Sequence, residues 1–227
     1  MIGELVRRYG LDQAAERRLA TLLEALTDDP LAPTSVRDPA RALNDHLADS
    51  LVALELCEVR TASMVADLGS GAGLPGVPLA IALPTAAIYL VESNGRKSEF
   101  IAKTVELCGL TNATVVNARA EAWPDGLGRF DLVAARALAP LAVVAEYGAP
   151  LLALGGTLLV WRGRRDVDDE ASGRLAAGEL GLEMADPIPV DPYPGAAHRH
   201  LQPMVKRAAT PDRFPRRPGV ARKRPLG

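Results

Sequence analysis

The sequence is poor in the residues that staple small folds or hold metals. Of 227 residues, two are cysteine (Cys57 and Cys108) and three are histidine. That excludes a disulfide scaffold and a cysteine-rich zinc site. Aromatic residues make up only 4%. No apolar run suits a membrane span, because the most apolar stretch, Val77 to Val91, is short and carries Pro78 and Pro84. The opening Met-Ile-Gly-Glu has neither a basic n-region nor an apolar h-region, so no secretory leader is expected. There is no internal repeat. The expectation is a soluble cytoplasmic monomer with no membrane partner and no bound metal.

What is present is globular. Hydrophobic residues reach 48% and charged residues 24%, and the length fits one sizeable domain able to bury its own core. The net charge of −2 hides an asymmetry. From Ala196 to Gly227 there are nine cations and one acid, Asp212, which leaves +8 there and −10 on the remainder. A basic end on an acidic body suits a polyanionic partner; it suits equally well a solvated tail that aids solubility.

Residues 1–27 read as one amphipathic helix, with Leu5, Leu11, Leu19, Leu22, Leu23 and Leu26 at helical spacing. Asp28-Asp29-Pro30 stops it, and Asp38-Pro39 starts a second helix that runs to about Glu58. The period then changes. Short apolar runs at 64–68, 86–91, 113–116, 130–134 and 157–161 read as buried strands, with helices at 76–83, 95–108 and 138–153. Such alternation implies an α/β fold with a parallel sheet covered on both faces. Residues 182–190 and 200–206 read as two last strands, close enough in sequence to pair antiparallel around Pro192-Tyr193-Pro194-Gly195. From Thr210 the chain is Pro- and Arg-rich and is expected to be an extended tail. The expected divisions are a helical extension at 1–60, the α/β body at 61–207 and the tail at 208–227.

The most informative segment is Val65-Ala-Asp-Leu-Gly-Ser-Gly-Ala-Gly-Leu-Pro-Gly76. Glycines at 69, 71, 73 and 76 follow a strand and open a helix, where a Cβ would collide with a ligand at the strand's carboxyl end. Gly71-x-Gly73-x-x-Gly76 fits a dinucleotide fingerprint. Asp67 at the strand end argues the other way, since its carboxylate repels a pyrophosphate and suits the ammonium and sulfonium of S-adenosylmethionine. Pro75 and Pro78 also remove N–H groups that a phosphate would use. Glu92 ends the next strand and can accept two ribose hydroxyls, a feature common to both ligands.

These residues resemble a known family. Asp67-x-Gly69-x-Gly71-x-Gly73-Leu74-Pro75-Gly76 is similar to the first motif of the bacterial 16S rRNA guanine-N7 methyltransferases, the glucose-inhibited division protein B family. Thr34 to Asp38 with His46 and Asp49-Ser50, Glu92-Ser93 with Arg96-Lys97 and Phe100, Arg119-Ala120-Glu121, and Arg136-Ala137 resemble its further segments. So does the tail from Thr210-Pro211 to Leu226. The resemblance covers nearly the whole chain from residue 34. It implies a Rossmann-like class I methyltransferase fold with an N-terminal helical extension, S-adenosylmethionine as methyl donor and the small ribosomal subunit as partner.

Position by position, the resemblance implies cofactor contacts at Gly69, Leu74, Glu92, Ser93, Asn94, Ala120, Glu121 and Arg136, with Glu121 at the adenine edge. Asp67 joins them on charge and position, and Gly71 as part of the cradle. Arg136, past the end of the fourth expected strand, is the active-site candidate; its bland reading is an ion pair with Asp131 or Glu92. His46 is a candidate wall of the target pocket or a packing hydrogen bond. Arg199, His200, Lys206, Arg216 and Arg217 are candidate RNA contacts that would position phosphates without reading sequence. Cys57 and Cys108 read as small core residues, and Trp123 and Trp161 as packing or base-stacking groups. The chain departs from the family at Ala32-Pro33 (commonly Asn-Leu), at Asp45 (commonly Arg before the His) and at Arg162 (commonly Lys). A small-molecule methyltransferase, a nicotinamide oxidoreductase and a non-catalytic RNA-binding module remain alternatives at this point.

Overall fold

The computed structural model describes residues 2–227. Two helices, α1 (Ile2–Tyr9) and α2 (Gln13–Asp28), occupy the stretch expected as one. Gly10, in the left-handed region at φ +67°, ends the first, and Asp12 caps the second by accepting from the Ala15 N–H at 2.7 Å. Both breaking residues lie within the leucine spacing that suggested a single helix.

The next helical region begins as expected, with Asp38 accepting from Arg41 N–H at 2.8 Å and Pro39 in the first helical turn. It does not run through to Glu58. The short α3 (Pro39–Ala42) passes into a π-helical stretch, Leu43–Ala48, then α4 (Asp49–Leu51), a 3-10 turn at Val52–Glu55, and α5 (Cys57–Arg60) after the extended Leu56. The wider π turn resets the helix phase, a feature found often at functional sites. Cys57 is exposed on α5, contrary to its reading as a core residue, while Cys108 is buried.

Five parallel strands follow: β1 (Met64–Leu68), β2 (Ala87–Val91), β3 (Ala113–Val116), β4 (Phe130–Arg136) and β5 (Leu152–Arg162). Between them lie α6 (Gly76–Ala82), α7 (Gly95–Leu107) and α8 (Leu141–Gly148). Then come α9 (Val167–Glu179), β6 (Leu182–Met184), β7 (Ile188–Pro189), β8 (His200–Lys206) and α10 (Val220–Lys223). The expected strand at 182–190 is thus two short ones, both antiparallel to β8, which itself runs antiparallel to β5. No apolar period announced α9, whose start is marked only by the Asp166 cap and the acidic residues after it. It buries Gly173, Ala176 and Ala177, so it has no stripe of large apolar residues to read.

The strand order is β3-β2-β1-β4-β5-β8-β6, with β7 beside β8. Order reverses between β1 and β4, and the crevice at their carboxyl ends is where open α/β sheets bind ligands. The pleat sends alternate side chains to two cores. Val65, Leu132 and Leu159 join Leu19, Leu22 and Leu26 of α2 and Ile101 of α7 on one face. Ala66, Val133 and Leu158 join Val144 of α8 and Ala176 of α9 on the other. The N-terminal helices therefore share their core with one face of the sheet. Among the described residues, no helix is long and apolar enough to cross a membrane.

The C-terminal segment is not the free extended tail expected from its composition. Phe214 and Ala221 are buried in the core beneath α8. Glu146 of α8 is fully buried, and Arg216 clasps it: Nε donates to Oε1 at 2.7 Å and a terminal nitrogen to Oε2. A buried carboxylate needs such a partner, because leaving one charge of a buried pair alone costs about 3–5 kcal/mol. Arg216→Ala should accordingly lower unfolding stability by about 3 kcal/mol in a urea titration, and Arg216→Leu combined with Glu146→Leu should recover most of that loss. A loss confined to the range of exposed surface pairs, under about 1 kcal/mol, would contradict this account of how the tail is held.

Candidate functional site

The glycine loop leaves β1 at its carboxyl end. Gly69, Gly71 and Gly73 all lie in the left-handed region, at φ +66°, +60° and +84°. Gly76 answers to space instead: a Cβ there would sit 2.2 Å from Leu90 Cδ2 and 2.6 Å from Asp67 Oδ2. Asp67 is completely buried under the loop. Its Oδ2 accepts from the Gly76 N–H at 3.0 Å, while Oδ1 is buried without a partner. Burial pushes its pKa up to about 6. Glu92, also buried, links the loop to α7: Oε2 accepts from Gly71 N–H at 3.1 Å and Oε1 from Asn94 N–H at 2.8 Å. Asn94 in turn caps α7, its Oδ1 accepting from Lys97 N–H at 3.2 Å.

A cavity of about 250 Å³ opens beside this loop. It brings together Gly69, Ser93, Ala120 and Glu121 from the expected cofactor set. Asp67, Gly71, Glu92 and Asn94 form the layer behind them, and Leu74 is buried in the core below the loop. Three lining residues had no forewarning: Leu138 after β4, Tyr147 of α8 and Arg222 of α10. Their signal is tertiary, because all three reach the cavity from segments distant in sequence.

A second cavity, of about 350 Å³, lies on the other side of Leu138, which lines both. Ala137 turns the chain there with φ +51°, a conformation uncommon for a residue bearing a Cβ. Leu138 consequently hangs over the loop; a Cβ on Gly69 would meet its Cδ1 at 2.5 Å. Asp45, His46, Asp49, Arg136, Trp161, Arg162, Arg164 and Arg199 line this second cavity. Arg136 faces here rather than into the first cavity. Its partner is neither Asp131 nor Glu92, since it donates to Asp49 Oδ2 at 2.8 Å and to the Asp45 carbonyl at 3.0 Å. Asp131 instead accepts from Ser63 and Met64 at the opposite end of the strand.

Asp49 also faces Arg199, with Nε 3.4 Å from Oδ1, and its carbonyl accepts from Trp161 Nε1 at 2.8 Å. Trp123 packs against Tyr89 and Phe130, while Trp161, although largely buried, borders the second cavity. Asp45, read as a missing positive charge, is occupied by Tyr193 O–H at 2.7 Å and Arg41 Nε at 2.9 Å. His46 shares a 2.9 Å hydrogen bond between Nε2 and Thr34 Oγ1, and its Nδ1 is buried without a partner. Burial first, and Arg136 second, hold the imidazole pKa below its ordinary value, which favours the neutral ring.

The basic C-terminal region divides. Arg199 reaches the second cavity. His200 is buried in β8 beside Arg162. Lys206 is buried at the far end of the same strand, where its ammonium is bound by the carbonyls of Ala149 and Leu180 and by Thr210 Oγ1. Desolvation pushes its pKa down to about 8. Lys206 and Arg216 are therefore structural cations and not surface phosphate contacts. Arg217 remains exposed.

Comparison with known proteins places this geometry in context. A profile described as GidB, rRNA small subunit methyltransferase G, matches residues 17–178. The ribosomal RNA small subunit methyltransferase G of Rubrobacter xylanophilus is 41% identical over 196 residues, covering 84% of this chain and 75% of that protein. The corresponding protein of Chloroflexus aggregans is 40% identical over 196 residues, covering 85% and 82%. Among solved structures, a SAM-dependent methyltransferase from Aquifex aeolicus superposes with a TM-score of 0.56 at 15% identity, covering 81% of this chain and 96% of that one. A fibrillarin from Methanococcus jannaschii also scores 0.56, at 14% identity and coverages of 71% and 74%. At such low identity these two bear on the fold, which is the Rossmann-like class I architecture. The sequence matches go further, and the chain belongs to the GidB family of small-subunit rRNA methyltransferases G.

Proposed function

We propose that this protein transfers the methyl group of S-adenosylmethionine to N7 of a guanine in 16S rRNA of the small ribosomal subunit, as a cytoplasmic monomer. The observation that carries the reading is the pair of cavities meeting at Leu138: one is lined by Gly69 of the glycine loop, Ser93 and Glu121, with Asp67 and Glu92 in the layer behind, and the other by arginines with Asp45 and Asp49. The residues fit the cofactor. Gly69, Gly71 and Gly73 hold the left-handed backbone that shapes the loop beside the cavity, and Asp67 keeps a buried, unpartnered oxygen beneath it. Glu92 has lone pairs left for ribose hydroxyls, and Ser93, Ala120 and Glu121 line the adenosine side. When bound, the cofactor supplies an electrophilic methyl group.

The chain's own task is then alignment. Guanine N7 carries a free lone pair at neutral pH, so no general base has to remove a proton. Orientation alone is worth about 7–11 kcal/mol of barrier where near-attack geometry is good. Arg136, pinned by Asp49, and Arg199, on the other oxygen of the same carboxylate, form a rigid wall against which a base can be held. Neutral His46 lies on the same wall. Methylated guanine is cationic, and the carboxylates of Asp45 and Asp49 temper the positive field of the arginines around it. N7 is out of reach in an A-form RNA groove, so the target is unpaired or splayed out. Arg199 and Arg217 remain the phosphate-positioning candidates.

Three outcomes are expected. Labelled S-adenosylmethionine incubated with small subunits from cells lacking this gene should yield one N7-methylguanosine in 16S rRNA, mapped by nuclease digestion and mass spectrometry. Cofactor binding without any transfer to those subunits would count against the substrate assignment. Arg136→Ala should lower kcat by about 100-fold, the scale of a lost alignment, while S-adenosylhomocysteine affinity by calorimetry changes little.

The third concerns pH. The pKa of Asp67 is raised to about 6 in the folded protein, so unliganded stability falls as pH rises through the interval between its ordinary value and that point. A cationic cofactor prefers the ionised form. Affinity for S-adenosylmethionine should therefore climb from about pH 5 to about pH 7 and then level. Asp67→Asn should flatten that profile; an unchanged profile would remove Asp67 from the cofactor's charge recognition.

A further inference from the structure

The C-terminal segment reaches the first cavity by two hydrogen bonds. The Gly219 N–H donates to Glu121 Oε1 at 3.0 Å. Arg222 donates to the Leu138 carbonyl at 3.0 Å, and its side chain lines the cavity. The segment is held in that position from behind by buried Phe214 and Ala221, by Arg216 on Glu146, and by Arg216 on the Arg224 carbonyl at 2.9 Å. Glu121 and Leu138 belong to the loops after β3 and β4, the strands on either side of the β2-β1 pair. A segment about 100 residues away in sequence thus bridges them.

We propose that Gly219 and Arg222 form a wall of the S-adenosylmethionine pocket, with Arg222 as a cofactor-contacting residue on the adenosine side. This rests on the function proposed above. The chemistry is suitable: a guanidinium offers several donors to the acceptor nitrogens of a purine and is attracted to a ring face. Its bond to the Leu138 carbonyl fixes the loop that separates the two cavities, so Arg222 also sets where that partition stands. The basic tail therefore serves the methyl donor as well as any RNA partner. Phe214, Ala221 and Arg216 anchor the segment that carries Arg222.

The test is calorimetric titration of the full chain with S-adenosylhomocysteine. Arg222→Ala should bind at least about tenfold more weakly than wild type, the scale of losing one hydrogen bond from a charged donor. Arg222→Lys should recover part of the loss, since it keeps the charge without the fork. Lys223→Ala removes the same charge from the neighbouring exposed position on α10 and should bind as wild type does. Unliganded melting temperature and far-ultraviolet circular dichroism establish that each variant is folded. Equal affinity of wild type and Arg222→Ala would overturn the proposal. So would an equal loss in Lys223→Ala, which would point to diffuse charge. Failure of the wild-type protein to bind S-adenosylhomocysteine at all would instead overturn the cofactor reading on which the proposal stands.

Discussion

The site depends on one buried carboxylate. Asp49 stands at the start of α4, where the π-helical stretch has just reset the helix phase. It collects Arg136 from the end of β4, Arg199 from the approach to β8 and, through its carbonyl, Trp161 from the end of β5. Three strand ends are thereby joined to the N-terminal helices. Its side chain is 10% exposed and that of Arg136 16%, so the pair is shielded from solvent and salt in a way that surface pairs are not. The N-terminal helices are consequently more than a cover for one sheet face. They supply Asp45, His46 and Asp49 to the second cavity.

The tail obeys the same logic on the opposite face. The Glu146 carboxylate is shut off from solvent, and it is tolerated because Arg216 brings two donors to it in bidentate geometry. That clasp converts a stretch rich in proline and arginine into a folded strap. Two buried carboxylates, one on each side of the sheet, thus fasten the two ends of the chain to the crevice between β1 and β4. Leu138 lies between those fastenings, with one cavity on either side of it.

Much of this was legible in the sequence because it is local. The glycine spacing after a strand, the carboxylates at the ends of β1 and β2, and the alternation of short apolar runs with helices depend on residues within a turn or a strand of one another. The places where the reading failed have physical causes. Gly10 and Asp12 break the first helix within an unbroken leucine spacing. α9 buries only small residues, which leave no periodic signal. Composition marked the last residues as an arm, but composition cannot count how many of its cations are consumed inside the protein.

By itself, then, the sequence determined the fold class, the position of the glycine cradle and the identity of Asp67 and Glu92 as its acidic companions. Backbone conformation and the alternation of strands with helices follow from local steric and apolar patterns. Tertiary structure alone decided which charges are free. Arg136 and Asp49 lie 87 residues apart and meet at 2.8 Å. Lys206 disappears into the core. Arg222, unremarkable among its basic neighbours, comes to line the cavity beside Glu121. Ion pairs and burial are set by which surfaces pack together, and no spacing within a single segment encodes that.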